Sequence, residues 1–327
     1  MGTQTRRSPT APTAIRIQRI AAAVDDRPEG RDAAVLLHHL ASALGAEAML
    51  IAIEHDIAML LPLAAWSGIR RDTIRMLGRV REDLAPDART VAGRHTSVVR
   101  GVEQIVARDH RQLLVLGSSG RGPEGQVSIG HTARQLLHDL SCPLAVAPRG
   151  LAGRSGWALR RIAVGFDGGT HAAAALALGQ QLARGADAEL HVLGAIDDRF
   201  PTPSWATTWL QPFRDEWEKI VDEQIPTLAR QIDDAIEDGI VAHPEVVRGV
   251  ASAALIAMSE RVDLVVIGSR RWGSAARLLL GGAGEALVRE CRAPLLVVPA
   301  PAREVTSPWP APADPSSPTR PVGAGGR

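Results

Sequence analysis

The sequence predicts an α/β protein built from two tandem five-stranded parallel sheets, each with helices on both faces. Two observations carry that expectation. The 327-residue chain matches itself at a period near 150 residues, and each copy alternates short aliphatic runs with segments of helical spacing. Strands separated by helical segments need crossover connections, and crossovers place helices on both faces of a parallel sheet.

The repeat rests on four matches in order. Arg19-Ile-Ala-Ala-Ala-Val-Asp25 answers to Arg161-Ile-Ala-Val-Gly-Phe-Asp167, and Val98-Val-Arg-Gly-Val102 to Val246-Val-Arg-Gly-Val250. Leu113-Leu-Val-Leu-Gly-Ser118 answers to Leu264-Val-Val-Ile-Gly-Ser269, and Cys142-Pro-Leu-Ala-Val-Ala-Pro148 to Ala293-Pro-Leu-Leu-Val-Val-Pro299. The offset grows from 142 to 148 to 151, a drift that a few extra residues in the second copy explain.

In the first copy the runs at 18–25, 47–54, 95–99, 112–117 and 143–147 read as buried strands. Asp32–Leu44, Ile69–Leu84, Val102–Arg108 and Thr132–Leu140 carry helical spacing between them. The second copy repeats the strands near 160–167, 187–194, 242–248, 262–268 and 295–299. Residues 1–14 and 301–327 read as disordered tails, 15–148 and 159–300 as the two domains, and 149–158 as a Gly- and Arg-rich linker. A segment from Asp197 to Trp217, holding Trp205 and Trp209, is either a lid or an anchored surface loop.

Composition sets the functional class. A formal net charge of +1 gives no basic surplus for nucleic acid. The longest apolar run, Ile57 to Trp66, is ten residues with Pro62 inside, too short to span a bilayer. Met1 to Ala14 has no apolar stretch and does not read as a signal peptide. Cys142 and Cys291 form no disulfide framework and read as two buried thiols in a reducing cytoplasm.

In an open parallel sheet, ligands sit outside the carboxyl ends of the strands where strand order reverses. The first strands end at Asp25 and Asp167, and the fourth at Gly117 and Gly268. After the first copy's fourth strand comes Gly117-Ser-Ser-Gly120-Arg-Gly122-Pro-Glu-Gly-Gln-Val-Ser-Ile-Gly130-His131-Thr132. Glycines let backbone amides converge on a phosphate, and Gly130 opening a helix adds unpaired N–H donors. Ser118, Ser119 and Thr132 add hydroxyls, and Arg121 a mobile cation. Glycines after a strand also serve simply to turn the chain, so taken alone the loop supports either reading. No P-loop occurs, and the Rossmann fingerprint would follow a first strand rather than a fourth.

The layout resembles the universal stress protein domain, an adenine-nucleotide-binding, Rossmann-like fold. Its nucleotide-binding members carry G-x2-G-x9-G-[ST] after the fourth strand and an Asp at the end of the first. The first copy fits with Gly117, Gly120, Gly130 and Asp25, and departs at His131. The resemblance implies ATP, with or without Mg2+, as the ligand. Asp25 and Ile53 would face the adenosine, Leu116 and Gly117 would line the pocket, and Gly120, Gly130, His131 and Thr132 would face the phosphates. In the second copy Asp167, Gly268 and Gly281 keep their spacing, but Arg271 replaces the second glycine and Gly282 the Ser or Thr. That copy is the weaker binder, unless Arg270 and Arg271 act as a charged phosphate clamp. The resemblance also implies that the fifth strands, Pro143–Pro148 and Pro294–Pro299, pair as an internal pseudo-dimer. The flanking prolines suit edge strands.

No nucleophile elbow, metalloprotease motif or cluster of metal ligands stands out, and His38-His39 reads as part of a helix. The expectation is therefore a non-enzymatic stress-response binding module, with slow ATP hydrolysis left open. Its partners would be adenine nucleotide and an unidentified protein, with homodimerisation also open and neither nucleic acid nor membrane involved. A nucleotide-free scaffold is one rival, and a hydrolase or transferase of the wider adenine-nucleotide α/β group is the other.

Overall fold

A computed structural model describes residues 16–56, 63–139, 142–199, 211–272, 277–279 and 281–299. The two tails and the stretch holding Trp205 and Trp209 lie outside the described residues. The first half runs β1 (Arg19–Ala23), α1 (Pro28–Leu44), β2 (Glu47–His55), α2 (Leu63–Leu84), β3 (Arg89–His95), α3 (Val98–Arg108), β4 (Leu113–Gly117), α4 (His131–Asp139) and β5 (Leu144–Ala147). After a short 3-10 turn at Leu151–Gly153, the second half runs β6 (Arg161–Gly165), α5 (Thr170–Ala186), β7 (Glu189–Ile196), α6 (Gln211–Ala235), β8 (Ala242–Arg248) and α7 (Ala251–Met258). It ends with β9 (Leu264–Trp272), β10 (Arg277–Leu279), α8 (Gly282–Glu290) and β11 (Leu295–Pro299).

All strands join one sheet in the order β3-β2-β1-β4-β5-β11-β9-β6-β7-β8, with β10 paired only to β9. Within each half the neighbours along this path are parallel. The junction between halves is the antiparallel pair β5–β11, with Leu144, Ala145 and Val146 opposite Val297, Leu296 and Leu295. The pseudo-dimer implied by the resemblance is thus present, and the prolines bracket strands that cover each other's edges.

Side-chain alternation sends Ile20 and Ala22 of β1 to one face and Ala21 to the other. Each of the two resulting apolar clusters runs through both halves of the chain. The helices start and stop for local reasons. Pro28 opens α1, where the amide it lacks would have no partner, and Gly45 closes it at φ 59°, donating to Ser42 O. Asp32, buried in α1, accepts from the amides of Gly150 (2.8 Å) and Ala152 (2.7 Å) and so fastens the linker to this helix.

Several expectations need correction. The third strand is β3 at 89–95 rather than 95–99, because Ser97 caps α3 and draws Val98 and Val99 into the helix. Helix α1 begins at Pro28, ahead of Asp32, and α2 at Leu63, ahead of Ile69; residues 211–217, expected in a lid or surface loop, open α6. In the second half β9 continues past Gly268 to Trp272 and turns back as β10, so a β-hairpin occupies the place of the glycine loop.

Candidate functional site

The first half carries a cleft of about 530 Å3 at the carboxyl ends of β1 and β4. Asp25, Ile53, Leu116, Gly117, Ser118, Gly120, Gly130, His131 and Thr132 all border it. Asp25 lies just past β1, where Oδ1 accepts from the Arg27 amide at 3.1 Å and the Arg27 Nε stands 3.6 Å from Oδ2. On the far side His131 and Thr132 form the exposed first turn of α4, whose amides have no intrahelical acceptors. Gly130 directly precedes that turn, and its carbonyl accepts from Arg134.

Gly117 is required by packing before any ligand is considered. A β-carbon there would lie 2.1 Å from the backbone oxygen of Glu29, so glycine lets the first turn of α1 cross the end of β4. The same contact recurs in the second half, where a β-carbon at Gly268 would lie 2.3 Å from the backbone oxygen of His171. Gly120 instead faces the Glu29 carboxylate, with Oε1 2.8 Å from a β-carbon placed there.

Two candidate groups are used otherwise than expected. The Ser118 hydroxyl is buried; it donates to Ala147 O at 2.7 Å and accepts from the Ser128 amide at 3.1 Å. It pins the loop and is not a loose donor for a ligand. Arg121 is exposed and does not border the cleft. Its amide meets Ser119 Oγ at 3.4 Å. Cys142 is half-buried, not buried, while Cys291 is fully buried.

Sequence reasoning missed Glu29 and Arg149. Arg149, just past β5, donates to Gly122 O at 3.0 Å and lies 3.6 Å from the Glu29 carboxylate, joining the linker, the loop and α1. An acid after a helix-opening proline reads as ordinary helix-end electrostatics; only the fold brings it to Gly120. The loop is also tied to the other half: Val127 N donates to Cys291 O at 2.7 Å, and Ile129 N to Val288 O at 3.3 Å.

The second half has a cavity of about 290 Å3, bordered by Phe166, Asp167, His171, Gly268, Gly281 and Gly282. Asp167 is engaged there, accepting from the Gly169 amide at 2.9 Å and standing 3.1 Å from His171 Nε2. Gly281 caps α8. Residue 271 belongs to β9, and its side chain lies outside the described residues.

Both halves match the family model described as the universal stress protein family, over residues 16–148 and 158–299. The chain is 30% identical over 195 residues to a universal stress protein of Mycobacterium tuberculosis, a match covering 57% of this chain and 58% of that relative's length. A universal stress protein of Mycolicibacterium smegmatis is 27% identical over 210 residues, covering 63% of this chain and 67% of the relative. The fold is shared with a universal stress protein of Archaeoglobus fulgidus, at TM-score 0.59 and 19% identity, covering 86% of this chain and 98% of that one. It is shared likewise with a protein described as a putative universal stress protein of Pseudomonas aeruginosa, at TM-score 0.58 and 18% identity, covering 86% and 93%.

Proposed function

The chain belongs to the universal stress protein family as a tandem two-domain member, and from that premise we propose that its first half binds ATP and conveys nucleotide occupancy to a protein partner. The observation that carries this reading is the first-half cleft. Asp25 stands on one side, while the Gly120–Gly130 loop and the unpaired first-turn amides of α4 stand on the other. Such amides and the positive end of a helix dipole favour phosphate oxygens. Asp25 and Ile53 would then meet the ribose and base, with His131 and Thr132 near the phosphates. Glu29, beside Gly120, would hold Mg2+ brought in with the triphosphate; the cation would offset repulsion between carboxylate and phosphate. In the second half the smaller cavity and the β9–β10 hairpin favour a structural role, which makes the expected stoichiometry one nucleotide per chain.

We read the molecule as a binding module rather than a catalyst. The buried hydroxyl of Ser118 is committed to Ala147 O, and His131 is exposed with no carboxylate contact to orient it among the described residues. One observation favours the rival scaffold reading, namely the Glu29 carboxylate facing the glycine loop. Native mass spectrometry of the purified full chain, followed by equilibrium dialysis against ATP and Mg2+, separates the two. One retained or saturably bound nucleotide is expected. No saturable binding below about millimolar ATP would leave the scaffold.

A further inference from the structure

The duplication supplies an internal control for a second site. In the first half the Glu47 carboxylate, at the start of β2, is met by arginines: Arg89 Nη1 at 3.1 Å, Arg111 Nη2 at 3.3 Å and Arg19 Nε at 3.7 Å. Strand register identifies the counterparts in the second half. Arg19 pairs with Glu47 as Arg161 pairs with Glu189, and Met49 pairs with Arg89 as His191 pairs with His243. The second half therefore keeps the carboxylate but sets two imidazoles where the first has a thioether and a guanidinium. Val262 stands in place of Arg111.

These three side chains meet. Leu190 and Val192 point to one apolar cluster and Leu193 to the other, so Glu189 and His191 share the face of Leu193. His243 projects beside them from the edge strand β8, with its ring stacked on that of His191 at a centroid distance of 4.9 Å. The Nε2 atoms of His191 and His243 lie 3.7 and 3.8 Å from Glu189 Oε2, and one ligand atom from each residue falls within 4.8 Å of the others. His191 Nε2 is buried with no hydrogen-bond partner, an arrangement that is costly unless something meets that nitrogen. The nearby cations are Arg161, held at 3.9 Å by Asp263, and Arg261, whose Nη2 reaches Met258 Sδ at 3.7 Å.

We propose that Glu189, His191 and His243 bind a divalent transition-metal ion of the Zn2+ class at the amino-terminal ends of β7 and β8, stapling the edge strand to the sheet. Two imidazoles and one carboxylate suit such an ion better than Mg2+ or Ca2+, which select oxygen ligands. Exposure of Glu189 and His243 leaves room for water in the remaining position. The site lies on β7 and β8 in the second half, on strands that do not border the first-half cleft, and does not rest on the ATP reading.

The test titrates Zn2+ into the full chain against a chromophoric chelator. One equivalent is expected to bind, and His243→Arg and Glu189→Gln should each weaken it by about tenfold or more. Both positions are half exposed, and His243→Arg reproduces the Arg89–Glu47 pair of the first half, so the variants keep their far-UV dichroism. Zn2+ should raise the thermal midpoint of the wild type by more than that of those variants. His38→Gln, in the histidine pair of α1, should bind as wild type. No stoichiometric binding, binding unchanged in both site variants, or loss confined to His38→Gln would overturn the assignment.

Discussion

A β-carbon at Gly117 would press on the backbone oxygen of Glu29 at 2.1 Å, whereas one at Gly120 would meet only the end of the Glu29 side chain. The first obstacle cannot move without α1; the second can swing away. Gly117→Ala should therefore destabilise the protein by about 1–3 kcal/mol in urea unfolding, as overpacking does. Gly120→Arg, which imports the residue found in the second half, should leave the urea midpoint nearly unchanged while weakening ATP binding by about tenfold or more. A folded Gly120→Arg protein with full affinity would show that this loop does not hold the phosphates. The glycine spacing was legible in the sequence, but the division of labour within it was not, because Glu29 reaches the loop only through the fold. Cys291 shows the same dependence on context. Burial pushes its thiol up to about 12, while its carbonyl receives Val127 from the other half. Since the folded value lies above the ordinary one near 9, the thiol's contribution to stability is fully present below pH 9. It is lost as pH rises from 9 towards 12. Ellman's reagent at pH 8 should accordingly label Cys142 and spare Cys291 until denaturant is added.

Among the elements, α1 does the most to organise the first half. Its first turn covers the end of β4, and its second turn presents Asp32 to the linker. Burial raises the Asp32 pKa even though the Ala152 and Gly150 amides act to lower it, so this carboxyl resists ionisation more than a surface aspartate. Asp32→Ala would leave two linker amides without their acceptor. It should cost about 1–3 kcal/mol and expose the Arg149–Gly156 stretch to limited trypsin digestion; an intact linker in that variant would mean that other contacts hold it. Most elements were readable because buried parallel strands and amphipathic helices carry different periods. The misreadings have local causes. Val98 and Val99 look like strand residues until Ser97 is recognised as a cap. The β9–β10 hairpin takes the course that glycine spacing assigned to a loop, since Arg271 can continue a strand where Gly120 turns. The Glu189, His191 and His243 cluster left no trace in sequence spacing, because strand register rather than chain proximity brings residues 191 and 243 together.

At the scale of the whole molecule, the halves are joined by more than a linker. The β5–β11 ladder makes the sheet continuous, the apolar clusters on both faces run through both copies, and α1 crosses α5 at close range. The duplication was visible in the sequence, and a pair of fused strands followed from the resemblance. The closeness of the helix crossing did not, since it depends on one residue without a side chain. A β-carbon at Gly185 would fall 1.7 Å from Ala43 O, a clash that only separation of α1 and α5 can relieve. These links predict one cooperative unfolding transition for both halves. Gly185→Ala should shift that single transition down by about 1–3 kcal/mol, with amides of β1 and β6 losing hydrogen-exchange protection together. Two separate transitions, or deprotection confined to the half that carries the substitution, would mean that the joined sheet does not couple their stabilities.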